Sequence, residues 1–240
     1  DHRDLHSFPT RRSSDLEEAF NRIHEEWTRL GYPFGSLIPS YATSIGSSAD
    51  RPGALAELMG IILNDGVRLP TLRVGRLHFA VNTPYETSFV PARLLDGAEQ
   101  VMAPEVARVV RRHLRDIVDN GTARRVKGAF TSADGAEIPV GGKTGTGDHR
   151  FERYGPGGVV LESRVVNRTA TFVFYIGDRF FGVITAHVHG PEAAEYRFTS
   201  ALPSQLLKIL APALNPLLSA DTQTRSEEHT SELQSHHELV

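Results

Sequence analysis

A short turn sets the strongest limit on the fold. Two strand-like runs, Thr169–Ile176 and Phe180–Val188, lie on either side of Gly177-Asp178. A parallel crossover takes roughly a dozen residues or more, so these runs pair as an antiparallel hairpin. Just upstream, Ile138 and Val140 begin a third strand, which carries the stretch Val-Gly-Gly-Lys-Thr-Gly-Thr-Gly from Val140 to Gly147. Asp134-Gly135 supplies a turn ahead of it.

Helical patterns flank the three strands. Phe20, Ile23, Trp27 and Leu30 form an amphipathic stripe over Glu17–Leu30, which Gly31 ends. From there through Gly46 the chain is rich in Pro, Gly, Ser and Tyr and reads as loop. A second helix is capped by Ser48 or Asp50, has Pro52 in its first turn, and carries Leu55, Leu58, Ile61 and Ile62 on its apolar face; Asn64-Asp65-Gly66 stops it. Partial alternation over Thr71–Val81 (Leu72, Val74, Leu77, Phe79) suggests one or two short strands. A third helix covers Ala103–Asp119 with Val106, Val109, Val110, Leu114, Ile117 and Val118 on one face and Asn120-Gly121 as its cap. A last helix opens at Ser200 and Pro203, buries Leu202, Leu206, Ile209 and Leu210, and ends before Pro212. Helices first, three adjacent strands, then a helix: the order fits an α+β fold with an antiparallel sheet against helices.

At 240 residues and 40% hydrophobic composition, one domain with an ordinary core is expected. No run approaches the roughly 18 to 20 apolar residues of a membrane helix, and the absence of cysteine rules out disulfides and thiolate metal sites. The net charge of −3 resides in residues 225–240, where one arginine faces four glutamates. The rest is neutral, which argues against nucleic acid as the main partner. Arg111, Arg112, Arg115, Arg124 and Arg125 form a local cluster that reads as a solvated helix face.

The chemistry concentrates in Val140–Gly147. Lys143 is one of three lysines, with Lys127 and Lys208, and stands among hydroxyls and glycines, a setting for an anion. Gly142 and Gly145 remove side chains on either side of Lys143-Thr144, so a ligand can lie against the backbone. Gly-Lys-Thr first suggests a phosphate-binding P-loop, but neither Glu137 nor Ile138 is the glycine that motif needs. Nor does a helix follow, because Asp148–Gly158 is polar and then strands come.

The stretch resembles instead the Lys-Thr-Gly-Thr motif of penicillin-binding proteins and serine β-lactamases. Ile45-Gly46, Leu63-Asn64-Asp65-Gly66 and Ile117 to Ala123 resemble further landmarks of large penicillin-binding transpeptidases, in the same order. The resemblance spans roughly Leu37 to Leu210 and is greatest to the transpeptidase domain of bifunctional glycosyltransferase/transpeptidase enzymes. It implies a β-lactamase/transpeptidase-like sheet flanked by helices and incomplete on its N-terminal side. It also implies that Lys143 supplies a positive field on an edge strand, that the Thr144 and Thr146 hydroxyls hold a substrate carboxylate, and that Gly145 admits the substrate backbone. The Thr146 backbone N–H would form half of the oxyanion hole. No cofactor is expected.

Two other signatures of the family are missing. Ser-x-x-Lys needs serine three places before a lysine, where this chain has Arg124, Val140 and Gln205. No asparagine has serine two places before it, so Ser-x-Asn is absent as well. Residues 1–16 and 225–240 resemble translated short-read sequencing adapters and are expected to be disordered, leaving 17–224 as a partial transpeptidase domain. The expectation is therefore a fragment, inactive by itself, of a D,D-transpeptidase that acts on D-Ala-D-Ala stem peptides through a serine ester and binds β-lactams. A serine β-lactamase or D,D-carboxypeptidase fragment and a non-catalytic β-lactam sensor are the alternatives. The parent would work at the periplasmic or extracytoplasmic face of the inner membrane, anchored upstream. His187 and His189 alternate on one strand face, but no third ligand has suitable spacing, so a structural role is expected and no metal. Asp148-His149-Arg150 follows the motif directly and reads as cleft rim or as solvated loop.

Overall fold

A computed structural model describes residues 8–41, 43, 51–72, 74–89, 97–156 and 159–218, with side chains from Ser14 onward. They belong to two compact units, Asp1–Val110 and Arg111–Val240, and the division falls inside one helix.

The first unit opens with α1, Phe8–Arg29, which begins nine residues ahead of the stripe that marked it and takes in adapter-like positions. Gly31 ends it at φ +95°, as anticipated. Phe20 is buried, and Ile23 and Trp27 line an apolar pocket of about 220 Å³ with Leu37 and Tyr41. Helix α2, Pro52–Leu63, has Pro52 in its first turn, but its N-cap is Arg51 without a side-chain cap. Ser48 and Asp50, expected to cap it, and Ile45-Gly46 lie outside the described residues. Its buried residues are Ala54, Met59, Ile61 and Ile62, so the apolar face is rotated away from Leu55 and Leu58. Asn64-Asp65-Gly66 does stop the helix; a Cβ on Gly66 would come within 2.1 Å of the Met102 carbonyl oxygen.

Among the described residues of this unit there are also four short strands. β1 (Val67–Arg68) pairs with β4 (Glu99–Gln100), and β2 (Leu77–Phe79) with β3 (Thr87–Phe89). The alternation over Thr71–Val81 thus yields one three-residue strand. It is exposed throughout, so the pattern did not mark a buried face.

Helix α3, Pro104–Asp119, matches its expected limits closely, but Val106 and Val109 are about half exposed, and the buried positions are Ala107, Leu114 and Val118. Asn120 and Gly121 bond back to Asp116 and Ile117, completing the cap.

In the second unit β5 (Val140–Tyr154), β6 (Val160–Ile176) and β7 (Phe180–His189) form an antiparallel sheet in that order. Gly177, at φ +62°, opens the β6–β7 turn. β5 and β6 run well beyond the expected strands. The polar segment after Gly147 continues as strand, where Arg150–Ser163, Arg153–Glu162 and Phe151–Arg164 contacts join β5 to β6. Polar side chains are acceptable there, since such a ribbon does not need a buried face.

The last helix, α4, covers residues 201–218 and passes through Pro212. A proline inside a helix removes one backbone bond and costs about 3 kcal/mol, but Ala211 and Leu218 on either side of Pro212 are buried. The buried stripe is Ser204, Leu207, Ala211 and Leu218, whereas Leu202, Leu206, Ile209 and Leu210 are exposed. A segment with leucine at seven positions fits two overlapping stripes of 3.6-residue period, and sequence pattern alone selected the wrong one. The core joins Val118, Val126, Phe130, Val140, Phe172, Phe174, Ile176, Leu207 and Ala211.

Candidate functional site

The glycine-rich stretch occupies the first half of β5, the outer strand of its sheet among the described residues. Lys143 pairs across to Val173, Thr144 to Phe172, Gly145 to Thr171 and Thr146 to Ala170. Side chains alternate along a strand, so Val140, Gly142, Thr144 and Thr146 share the face of Phe172, Phe174 and Ile176. That face meets the core. Lys143, Gly145 and Gly147 lie on the other face.

Each of the four expected site residues has a distinct setting. Lys143 is exposed and donates from Nζ to the Thr144 carbonyl oxygen at 2.7 Å, which holds the ammonium against the strand backbone. Thr144 is only 7% exposed, and its Oγ1 lies 2.7 Å from Thr122 Oγ1. Gly145 is exposed, and a Cβ built on it meets nothing within 4 Å. Thr146 Oγ1 accepts the Ser200 backbone N–H at 2.8 Å, just ahead of α4. That bond leaves the Thr146 hydroxyl proton free to donate to a carboxylate.

The two glycines before Lys143 have another purpose. A Cβ on Gly141 would come within 2.3 Å of the Tyr175 ring, and one on Gly142 within 2.4 Å of the Val173 carbonyl and 2.7 Å of the Phe172 ring. Gly142 is thus needed for packing and does not clear space for a ligand. Tyr175 donates its hydroxyl to the Arg111 carbonyl oxygen, and burial pushes its phenol pKa upward, against the pull of the nearby Arg111 guanidinium. Arg111 also bonds Asp178, tying α3 to the β6–β7 turn.

Thr122 and Ser200 are the two supporting residues that no chemical signal in the sequence marked. Thr122 stood out only within a family landmark and Ser200 only as the start of a helix. On the exposed face beyond the motif, His149 Nδ1 lies 2.7 Å from Asn167 Nδ2, and His187 Nδ1 lies 2.8 Å from Thr169 Oγ1. The His187 and His189 rings are 6.4 Å apart. Asp148-His149-Arg150 belongs to β5 and not to a loop, with Arg150 3.4 Å from Asp148.

No family model matches the sequence, and no curated protein matches it. The fold is found among solved structures. Penicillin-binding protein 3 from Mycobacterium tuberculosis, in complex with aztreonam, superposes with a TM-score of 0.50 at 18% identity, over 81% of this chain and 45% of that one. Penicillin-binding protein A from M. tuberculosis, a ceftriaxone acyl-enzyme complex, gives a TM-score of 0.48 at 20% identity, over 78% of this chain and 42% of that one. The D,D-transpeptidase domain of a peptidoglycan glycosyltransferase from Eggerthella lenta gives 0.47 at 17% identity, over 84% and 50%. This chain spans less than half the length of the M. tuberculosis proteins. Its fold is that of a penicillin-binding-protein transpeptidase domain, an α+β arrangement of helices and antiparallel sheet.

Proposed function

We propose that this chain, which has the fold of a penicillin-binding transpeptidase domain, is the part of a peptidoglycan D,D-transpeptidase that binds the carboxylate of a D-Ala-D-Ala stem peptide or a β-lactam. The observation that carries this reading is the position of Lys-Thr-Gly-Thr on the outer strand of an antiparallel sheet. An open strand edge offers unpaired backbone groups to an extended peptide, and Gly145 has room for one to approach.

In the proposed reaction a serine hydroxyl attacks the carbonyl between the two D-alanines, an ester forms, and the terminal D-alanine leaves with the serine proton. An acceptor amine then displaces the serine. Lys143 stabilises the peptide carboxylate by charge, and Thr146 donates its hydroxyl proton to it. The Thr146 backbone N–H stabilises the negative oxygen of the tetrahedral intermediate. Thr144, whose hydroxyl is buried against Thr122, positions the strand. The chain supplies no nucleophile from a Ser-x-x-Lys signature, so the ester-forming serine belongs to a longer parent protein, of which this chain is a fragment. That parent works on the outer side of the cytoplasmic membrane; no helix among the described residues is long and apolar enough to cross one.

Incubation with a penicillin followed by intact-mass measurement tests this reading. The expected result is no covalent adduct, together with reversible binding that Lys143→Gln weakens about tenfold, the loss of one charge-assisted contact. A stoichiometric acyl adduct contradicts the account of the missing nucleophile, and binding indifferent to Lys143→Gln contradicts the site.

A further inference from the structure

The arginine cluster of the sequence divides in the structure, and one part has no structural task. Arg111 is held by Asp178, and Arg115 by Asp119, which also takes Lys127. Arg124 and Arg125 are different. They lie in a short 3-10 helix, Arg124–Val126, between two fully buried residues, Ala123 and Val126. Those two anchors are three apart, so they share one side of a 3-10 turn, and both arginines are left exposed. Neither guanidinium has an ion-pair or hydrogen-bond partner among the described residues. With Gly121 and Thr122 they line a pocket of about 350 Å³.

Thr122 ties that pocket to β5. Its hydroxyl contacts the Thr144 hydroxyl at 2.7 Å, and Thr144 is buried with no other side-chain partner among the described residues. When Thr144 donates to Thr122, the Thr122 hydroxyl proton is left free to donate to a ligand in the pocket that Thr122 lines. Two guanidinium forks and a hydroxyl donor, with no carboxylate lining the cavity, suit a planar anion held in bidentate fashion.

We propose that Thr122, Arg124 and Arg125 form an anion subsite that takes a carboxylate. Joined to the peptide-binding reading of β5, on which this step rests, the subsite selects peptide ligands that carry a second carboxylate in addition to the terminal one. A divalent phosphate is the competing source of the same charge.

Backbone amide NMR of the full chain separates these cases. Glutarate and inorganic phosphate are titrated separately into wild type, Arg124→Gln/Arg125→Gln and Lys143→Gln, and an N-acyl D-Ala-D-Ala peptide into wild type. Glutarate is expected to shift Gly121 to Arg125 and Thr144. The double arginine variant should bind it at least about tenfold more weakly, while Lys143→Gln leaves those shifts in place. Unchanged melting of the arginine variant shows that it is folded. Absence of glutarate shifts, their survival in the arginine variant, or a response to phosphate alone overturns the carboxylate subsite. If the dipeptide fails to shift Lys143 to Gly147 while glutarate still shifts the pocket, the reading of β5 falls and the subsite stands.

Discussion

Two pairs of glycines on one strand have opposite roles. Gly141 and Gly142 lie under Tyr175 and Phe172, where a single added carbon would collide with ring or backbone atoms. Gly145 and Gly147, a few residues on, face open space. In the sequence the four are equivalent punctuation around Lys143 and Thr144, and Gly142 and Gly145 alike read as clearing space for a ligand. The structure divides them into two that let the sheet pack and two that leave a surface uncovered. The division falls within the glycine-rich stretch: its first residues are pinned by the core, and from Gly145 on there is open space beside the backbone.

The largest effect should come from removing the roof over Gly142. Phe172 is fully buried and stacks on Phe174 with ring centroids 5.7 Å apart. Phe172→Ala should cost about 4 kcal/mol in chemical denaturation, the usual loss for an aromatic core truncation. Next, Gly142→Ala should cost about 2 kcal/mol through overpacking, whereas Gly145→Ala should stay within about 0.5 kcal/mol, as expected of an exposed site. Equal costs at the two glycines would break the comparison. Thr144→Val, which removes the hydrogen bond to Thr122, should cost about 1 kcal/mol, and a cycle with Thr122→Val should show that the two losses are not additive.

The smallest effect is a dependence on pH at the pinned end. Burial raises the Tyr175 phenol above its ordinary value, so the folded state favours the neutral ring and the unfolded state ionises first. The associated stability is fully present below the unfolded pKa of about 10 and is lost as pH rises through the folded value. Thermal melting of wild type should therefore fall more steeply in alkali than that of Tyr175→Phe. Parallel curves would mean that the ring over Gly141 is not closed off from water.

Much of the fold was legible because it depends on spacing. Gly177-Asp178 forced an antiparallel hairpin, and Gly31, Asn64-Asp65-Gly66 and Asn120-Gly121 ended helices where punctuation said they should. Helix faces were less legible. In α4 leucines surround much of the helix, and only the packing against Val118, Phe130 and Phe172 selects Leu207 and Ala211 over Leu206 and Ile209. The β5–β6 ribbon was missed for a related reason: with few buried positions beyond Gly147, periodicity had little to report. The motif itself was visible as a chemical oddity, but the inward turn of Thr144 and the Ser200 bond to Thr146 depend on contacts 22 and 54 residues away in sequence.

The central claim is that β5 binds a peptide carboxylate from Lys143 onward while its first residues serve the core. Titration of an N-acyl D-Ala-D-Ala peptide into the uniformly labelled chain, followed through backbone amides, tests it directly. Shifts confined to Lys143 through Gly147, with a dissociation constant raised about tenfold by Lys143→Gln at unchanged melting temperature, are the predicted result. Shifts centred on Val140 to Gly142, or no shifts on β5 at saturating peptide, would contradict it.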